Sequence, residues 1–426
     1  MFKVFAELNE IKYIWTVFAK NREIPFVFIP DKKDADFIID FSSESDLSLS
    51  KEFYDKIKSE IFSFDNFFKK DCLIRTKEGK NDYLATAFYM INALQEYGSK
   101  DLDVIGRFNY KHSYQYIFKN VQENLVQECF DKLHNENPKL SKFNSPEKKT
   151  RFFFSHDLDS INGALFQDGL ALVKKGNLLP IFPIVMNAVL NKPDWLNMDK
   201  IMKMESKFDY KSTFYWLVNQ GKINERESNS DYNIKTKNIR NMINQIEGNG
   251  FESGLHKSIS TDSFEDEFRK LELKPIGNRY HYLKFTLPDA FDKIEKSGLL
   301  LDASLGFAEA YGFRNSYGLP FNPYNLNEGK PYSFVEVPLN LMDGTFRNEM
   351  NVPMEKTADM IIEFIEMNKT NCILSVLWHN TFFTKYKYKG YGEQYKKLLA
   401  YLYENKYSCI TQKEIIDEYS WEKQYP

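Results

Sequence analysis

At 426 residues, with 42% hydrophobic and 16% aromatic side chains, the chain has ample material for a packed core. That excludes a disordered protein and leaves two domains, or one large barrel with insertions, as the expectation. A formal net charge of -3, from 57 basic and 60 acidic residues of mixed sign, gives no sign of a broad electrostatic surface for nucleic acid or anionic lipid.

The N-terminal "MFKVFAELNEIKYIWTVFAKNREIPFVF" places Glu7, Glu10 and Lys12 ahead of any long apolar run and lacks a small-residue cleavage site, so no secretion signal is read there. Short strand-like runs, "FKVFAEL", "PFVFIP" and "DFIIDF", precede helical periodicity in "DYLATAFYMINALQEYG" and "YIFKNVQENLVQECFDKLHNE". The pattern predicts a small α/β accessory domain over residues 1–145, ending in the polar "NENPKLSKFNSPEKKT". Four dispersed cysteines, Cys72, Cys129, Cys372 and Cys409, form no C-x-x-C pair and read as reduced thiols in a cytoplasmic protein.

From residue 146 onward, strand-like and helical segments alternate. "RFFFSHD" comes first, followed by a helix-rich insertion to about residue 205 that contains the most apolar window, "LLPIFPIVMNAVL" at 178–190. That window is too short for a membrane span and carries two prolines. Next come "KSTFYWLV", a helix at 235–248, "GFESGLH", a helix at 261–272, "KPIGNRYHYLKF", and a helix at 288–297. "GLLLDASLGF", "FVEVPLNLMD", a helix at 355–369, "CILSVLWH" and a helix at 392–405 complete the series. Such a succession predicts parallel strands with crossover helices and hence a (β/α) barrel over residues 146–426, with its chemistry where strands run out into loops.

Of six histidines, His156, His256, His281 and His379 fall at or just beyond predicted strand ends; His112 and His134 lie in the N-terminal part. In "SHDLD" the two-residue period of a strand sends Asp157 and Asp159 to one side and Phe152, Phe154 and His156 to the other. Two carboxylates at one strand end suit a division of labour, one holding a metal and the other taking a proton from water. Singly, each motif has an ordinary explanation: a D-x-D can cap a loop, and the histidines of "GLHKS" and "WHN" can sit in a turn or at a core edge. Their joint placement at strand ends of one domain favours a site.

In order and spacing these motifs resemble those of the polysaccharide deacetylases, the NodB-homology or carbohydrate esterase family, whose fold is a distorted (β/α) barrel. "SHDLD" stands for the first motif, "GLHKSIS" for the second, "NRYHY" for the third, "LDAS" for the fourth and "LWH" for the fifth. Together with "GFRNSYGLPF" and "EVPLNLMD", they look like a bacterial subgroup with HDVD-type first motifs and an extra N-terminal module, associated with surface polysaccharides. The resemblance implies Asp157 as catalytic base, Asp159 and His256 as metal ligands, Arg279 orienting Asp157, and His379 as general acid. It implies a divalent metal, usually zinc, and hydrolysis of an acetamide on a carbohydrate to acetate and a free amino sugar.

The chain departs from the family where H-[S/T]-x-x-H would supply a second imidazole, because four residues after His256 stands Ser260. A catalytic zinc generally takes three protein ligands, and the nearest replacement is His281, two residues beyond Arg279. Arg314 is a candidate for a sugar hydroxyl or an anionic group, and Tyr280 and Trp378 for stacking on a sugar ring. Asp302, Ser304 and Asp343 are supporting candidates only. A competing expectation is a barrel with weakened catalysis that binds a glycan or a partner protein; the missing imidazole favours it, and the retained acids, Arg279 and His379 oppose it. Oligomeric state is not legible in the sequence.

Overall fold

The computed structural model describes residues 1–190 and 194–421. Its N-terminal part holds β1 (Phe2–Ala6), β2 (Phe26–Phe28), β3 (Phe37–Asp40) and β4 (Leu47–Ser48), a parallel sheet in the order β2-β1-β3-β4. The helix Asn9–Asn21 crosses from β1 to β2 and buries Ile11, Ile14, Trp15 and Phe18, with Trp15 stacked on Phe37 at 5.1 Å between ring centroids. All nine residues of the helix Tyr83–Ile91 are buried, as expected of an apolar segment without a polar face. Its start is fixed by Asp82, whose carboxylate accepts from Ala85 N at 2.8 Å and from Ser50 N at 2.6 Å.

The larger part is built on β5 (Arg151–Leu158), β6 (Ser212–Leu217), β7 (Glu252–Lys257), β8 (Gly277–Tyr280) and β9 (Leu301–Asp302). A small hairpin, β10 (Tyr324–Asn325) and β11 (Lys330–Pro331), stands apart; β12 (Val335–Glu336), β13 (Leu339–Met342) and β14 (Ile373–Leu377) complete the main sheet. Eight strands pair in the order β12-β9-β8-β7-β6-β5-β14-β13, every pair parallel. The two edge strands are one stretch of chain. Residues 335–336 pair with β9 and residues 339–342 with β14, so a single run interrupted at Pro338 closes the sheet into a barrel. Proline cannot donate to a ladder, which accounts for the break inside the predicted "FVEVPLNLMD". The strands read from "KPIGNRYHYLKF" and "GLLLDASLGF" shrink to β8 and β9.

Strand alternation sets the layers. Phe153 packs inside the barrel with Tyr215, Leu301, Val335 and Ile373, against Ile415 of the helix Gln412–Tyr419. Phe152 and Phe154 face outward into the core made with Tyr395, Leu398 and Leu402 of the helix Tyr391–Glu404. The N-terminal part shares a continuous core with the barrel. It meets the long connection after β9 through Tyr13 Oη to Asn322 O at 2.8 Å, Ser316 O accepting from Val126 N at 3.0 Å, and Tyr324 N to Asn92 Oδ1 at 2.8 Å. Among the described residues no helix is long and apolar enough to cross a membrane.

Candidate active site

All strands of a parallel barrel end at one rim, and the register sets His256 of β7 directly beside Arg279 of β8. Asp157 is buried inside the rim, and its Oδ1 accepts from Arg279 Nη1 at 3.0 Å. The guanidinium is itself fixed: Nε donates to Ala303 O at 2.8 Å, Nη1 donates to Ser155 Oγ at 2.8 Å, and the plane lies over the Tyr215 ring at 4.8 Å. Asp157 is thus aimed by a charge-assisted hydrogen bond from a group that cannot rotate. Its Oδ2 lies 3.5 Å from His256 Nε2.

Asp159, His256 and His281 offer one ligand atom each within 4.8 Å of one another. His256 Nδ1 is 2.9 Å from Arg279 O and His281 Nε2 is 2.9 Å from Ser228 O. A carbonyl only accepts, so those nitrogens carry the protons and the remaining two, His256 Nε2 and His281 Nδ1, turn lone pairs toward each other at 3.1 Å. Asp159 Oδ1 lies 3.3 Å from the first and 3.5 Å from the second, and has no hydrogen-bond partner. Three electron-rich atoms converge without a donor between them, and only a cation, a proton or a metal ion, satisfies all three. The backbone carbonyls that fix the tautomers are what a metal-binding imidazole uses for orientation. His281 arrives there because the chain turns sharply after β8, with Tyr282 and Leu283 in the left-handed region (φ 59° and 52°).

Electrostatics follow the same grouping. Burial, with the neighbouring His256, pushes the His281 imidazole down to about 4 against the pull of Asp159, so it is neutral at ordinary pH. Burial would lower His256 too, but Asp157 and Asp159 more than reverse it and its pKa is raised. For Asp159, burial is outweighed by the imidazoles of His281, His256 and His379, and the carboxyl is held well below its usual range.

His379 closes the opposite side of the rim. Its backbone N donates to Asp343 Oδ2 at 2.8 Å, its Nδ1 donates to Asp343 Oδ1 at 2.6 Å, and its Nε2 stands 3.7 Å from Asp159 Oδ2. Burial alone would lower this imidazole, but Asp343 reverses the effect and raises it to about 10. Asp343, directly after β13, is therefore the partner of His379; a place at a strand end is the one sign of that role legible in the sequence.

Arg279 and the five residues Asp157, Asp159, His256, His281 and His379 come together. Arg314, Tyr280 and Trp378 do not join them. Arg314 is buried under the N-terminal part, bound by Nε to Glu96 Oε1 at 2.8 Å and by Nη2 to Oε2 at 2.6 Å, with Nη1 donating to Gly306 O at 2.8 Å. Its guanidinium is fully engaged with its own chain. The alternation that turns Arg279 inward turns Tyr280 outward, against Phe264 and Phe285, and Trp378 lies buried against Tyr395. His156 also faces away from the acids, stacked on Phe214 and bonded to Glu205 Oε1 at 2.9 Å and Trp378 O at 2.6 Å. Ser260 donates to Glu267 Oε1 at 3.2 Å. Asp302 accepts from Asn278 Nδ2 at 2.7 Å and Ser304 Oγ at 3.0 Å.

Residues 3–138 match a family model described as a family of unknown function, DUF7033. No curated protein matches. Among solved structures, a putative polysaccharide deacetylase from Mycobacterium smegmatis is similar at 12% identity and TM-score 0.41, over 63% of this chain and 90% of that one. PuuE allantoinase is similar at 12% identity and TM-score 0.43, over 66% and 95%. A CE4 family pseudoenzyme from Bacillus anthracis is similar at 11% identity and TM-score 0.33, over 65% and 68%. Likenesses this distant leave the assignment of chemistry to the side chains of this chain.

Proposed function

We propose that the chain is a metal-dependent deacetylase that hydrolyses the N-acetyl group of an amino sugar or glycan in surface-polysaccharide metabolism, with residues 1–145 as accessory domain to a catalytic barrel of residues 146–426. The observation that carries this reading is the convergence of Asp159 Oδ1, His256 Nε2 and His281 Nδ1 with no donor among them. Two imidazoles and a carboxylate fit a divalent ion, zinc by the chemistry of the donor set. Held there, the ion supplies Lewis acidity toward an acetamide carbonyl and toward water.

The remaining residues move protons. Asp157, aimed by the hydrogen bond from Arg279, takes the proton from the attacking water. His379, kept protonated at neutral pH by Asp343, gives a proton to the departing nitrogen. Water adds its oxygen to the acetyl carbon, the carbon–nitrogen bond breaks, and acetate and an amine leave. Arg279 acts through Asp157 and is a positioning residue.

The test combines metal content with turnover. Purified protein loaded with zinc is expected to hold one ion per chain, and the His281→Ala variant to lose it, by elemental analysis. Release of acetate from an N-acetylated chito-oligomer is expected to fall by about 10²–10⁴ in Asp157→Asn while the metal stays bound. A wild-type protein that takes up no metal, or an Asp157→Asn variant that turns over undiminished, sinks the mechanism.

A further inference from the structure

The insertion between β5 and β6 carries an unusual surface. Ten of the twenty-two large hydrophobic side chains exposed among the described residues lie between positions 166 and 190. They include Phe166, Leu170, Leu179, Phe182 and Val189, of which Leu179 is 89% and Phe182 73% exposed. The segment is not loose chain. The helices Gly169–Lys174 and Ile181–Val189 rest on a small core of Ala164, Leu172, Ile184 and Trp195. Trp195 Nε1 donates to the buried Asp168 at 2.8 Å, and Gly163 lies so close under the Trp195 ring that a Cβ has no room. With its few inward residues committed there, the apolar majority has no place to go but outward.

Lysines flank this face. Asp168 is the only acid in residues 161–190, and it is buried. Lys174 and Lys175 are exposed at the end of the helix Gly169–Lys174, and Lys385 and Lys389 on the neighbouring loop. That loop is tied to the insertion by Lys387, whose backbone N donates to Asp168 Oδ1 at 2.8 Å and whose Nζ donates to Gln167 Oε1 at 2.6 Å. Two acids stand at the ends of this segment and are engaged with it: Asp194 accepts from Asn187 Nδ2 at 2.6 Å, and Asp231 accepts from Ile161 N at 2.9 Å and Asn162 N at 3.1 Å. Exposed apolar side chains concentrated in this way mark an interaction site, and an apolar surface that carries lysines complements an apolar interior under an anionic surface.

We infer that the insertion is a docking surface for an anionic phospholipid bilayer, its apolar helices entering the headgroup region and its lysines pairing with lipid phosphates. The surface adjoins the candidate site: Ser160 follows Asp159 directly, and Asn380, next to His379, donates to Ser160 O at 2.9 Å and Trp195 O at 3.0 Å. Docking would hold the barrel mouth at the membrane. Resting on the deacetylase reading, this narrows the substrate to an N-acetylated glycan carried on a lipid or lying at the membrane surface.

Vesicle sedimentation of the full chain, read without substrate, tests the docking separately from the chemistry. The protein is expected to sediment with phosphatidylcholine vesicles containing phosphatidylglycerol, less so at high salt, and not with phosphatidylcholine alone. The double variant Leu179→Ser, Phe182→Ser is expected to lose at least about tenfold in partitioning, and Lys174→Glu, Lys175→Glu to lose the salt-sensitive part, both with unchanged melting transitions. Absence of sedimentation with anionic vesicles overturns the inference, as does an apolar double variant that sediments like wild type. A dimer in light scattering that the same double variant dissociates also overturns it, assigning the face to a second copy.

Discussion

Two long connections leave the barrel, and they solve the same problem in opposite ways. The stretch at 303–325, after β9, is almost wholly buried, whereas residues 166–190, after β5, are largely exposed. Both are rich in apolar side chains. The difference is the N-terminal part, which lies over the first connection and places Glu96 against Arg314 inside a shared core. Among the described residues no comparable cover lies over the second. A connection's apolar content therefore does not by itself say whether it is core or contact surface; what packs on it decides.

Three substitutions probe that contrast. Glu96→Ala removes the partner of a buried guanidinium and is expected to cost about 3–5 kcal/mol in urea unfolding, the largest effect of the three. A small change there would mean that the first connection does not depend on its cover. Asn380→Ala removes the donor shared by Ser160 O and Trp195 O and is expected to cost about 1–3 kcal/mol. Hydrogen exchange should quicken in residues 161–190 while 303–325 stays protected. Leu179→Ser should change stability by no more than about 0.5 kcal/mol; a larger loss would show that this leucine is packed in solution and that the two connections are alike.

The sequence carried much of the barrel because its strands are short aromatic and β-branched runs with turn residues at their ends, a local pattern. The inward turn of Asp157 and Asp159 was equally local, following from the two-residue period of one strand. The place of His281 beside Asp159 and His256 was legible by subtraction, since the resemblance asks for a second imidazole where Ser260 stands. The same alternation, applied at Arg279 and at His379, would have turned Tyr280 and Trp378 away from the rim. Arg314 lay beyond such reasoning, because its partner is 218 positions away in the chain and nothing local distinguishes a buried guanidinium from an exposed one. The near-neutral charge of the whole chain likewise concealed residues 161–190, whose exposed charges, Lys174 and Lys175, are both positive.

The three convergent atoms also have a consequence for folding. An H-x-x-x-H pair sits on neighbouring turns of one short segment and can grip an ion before the rest of a chain is in order. Here His256 and His281 stand 25 positions apart on adjacent staves, and Asp159 follows a third, with β6 between it and β7. No short fragment contains the chelate. The ion would act as a fastener across the barrel wall, bound tightly only once the staves are in register, so its affinity would report on the integrity of the whole ring.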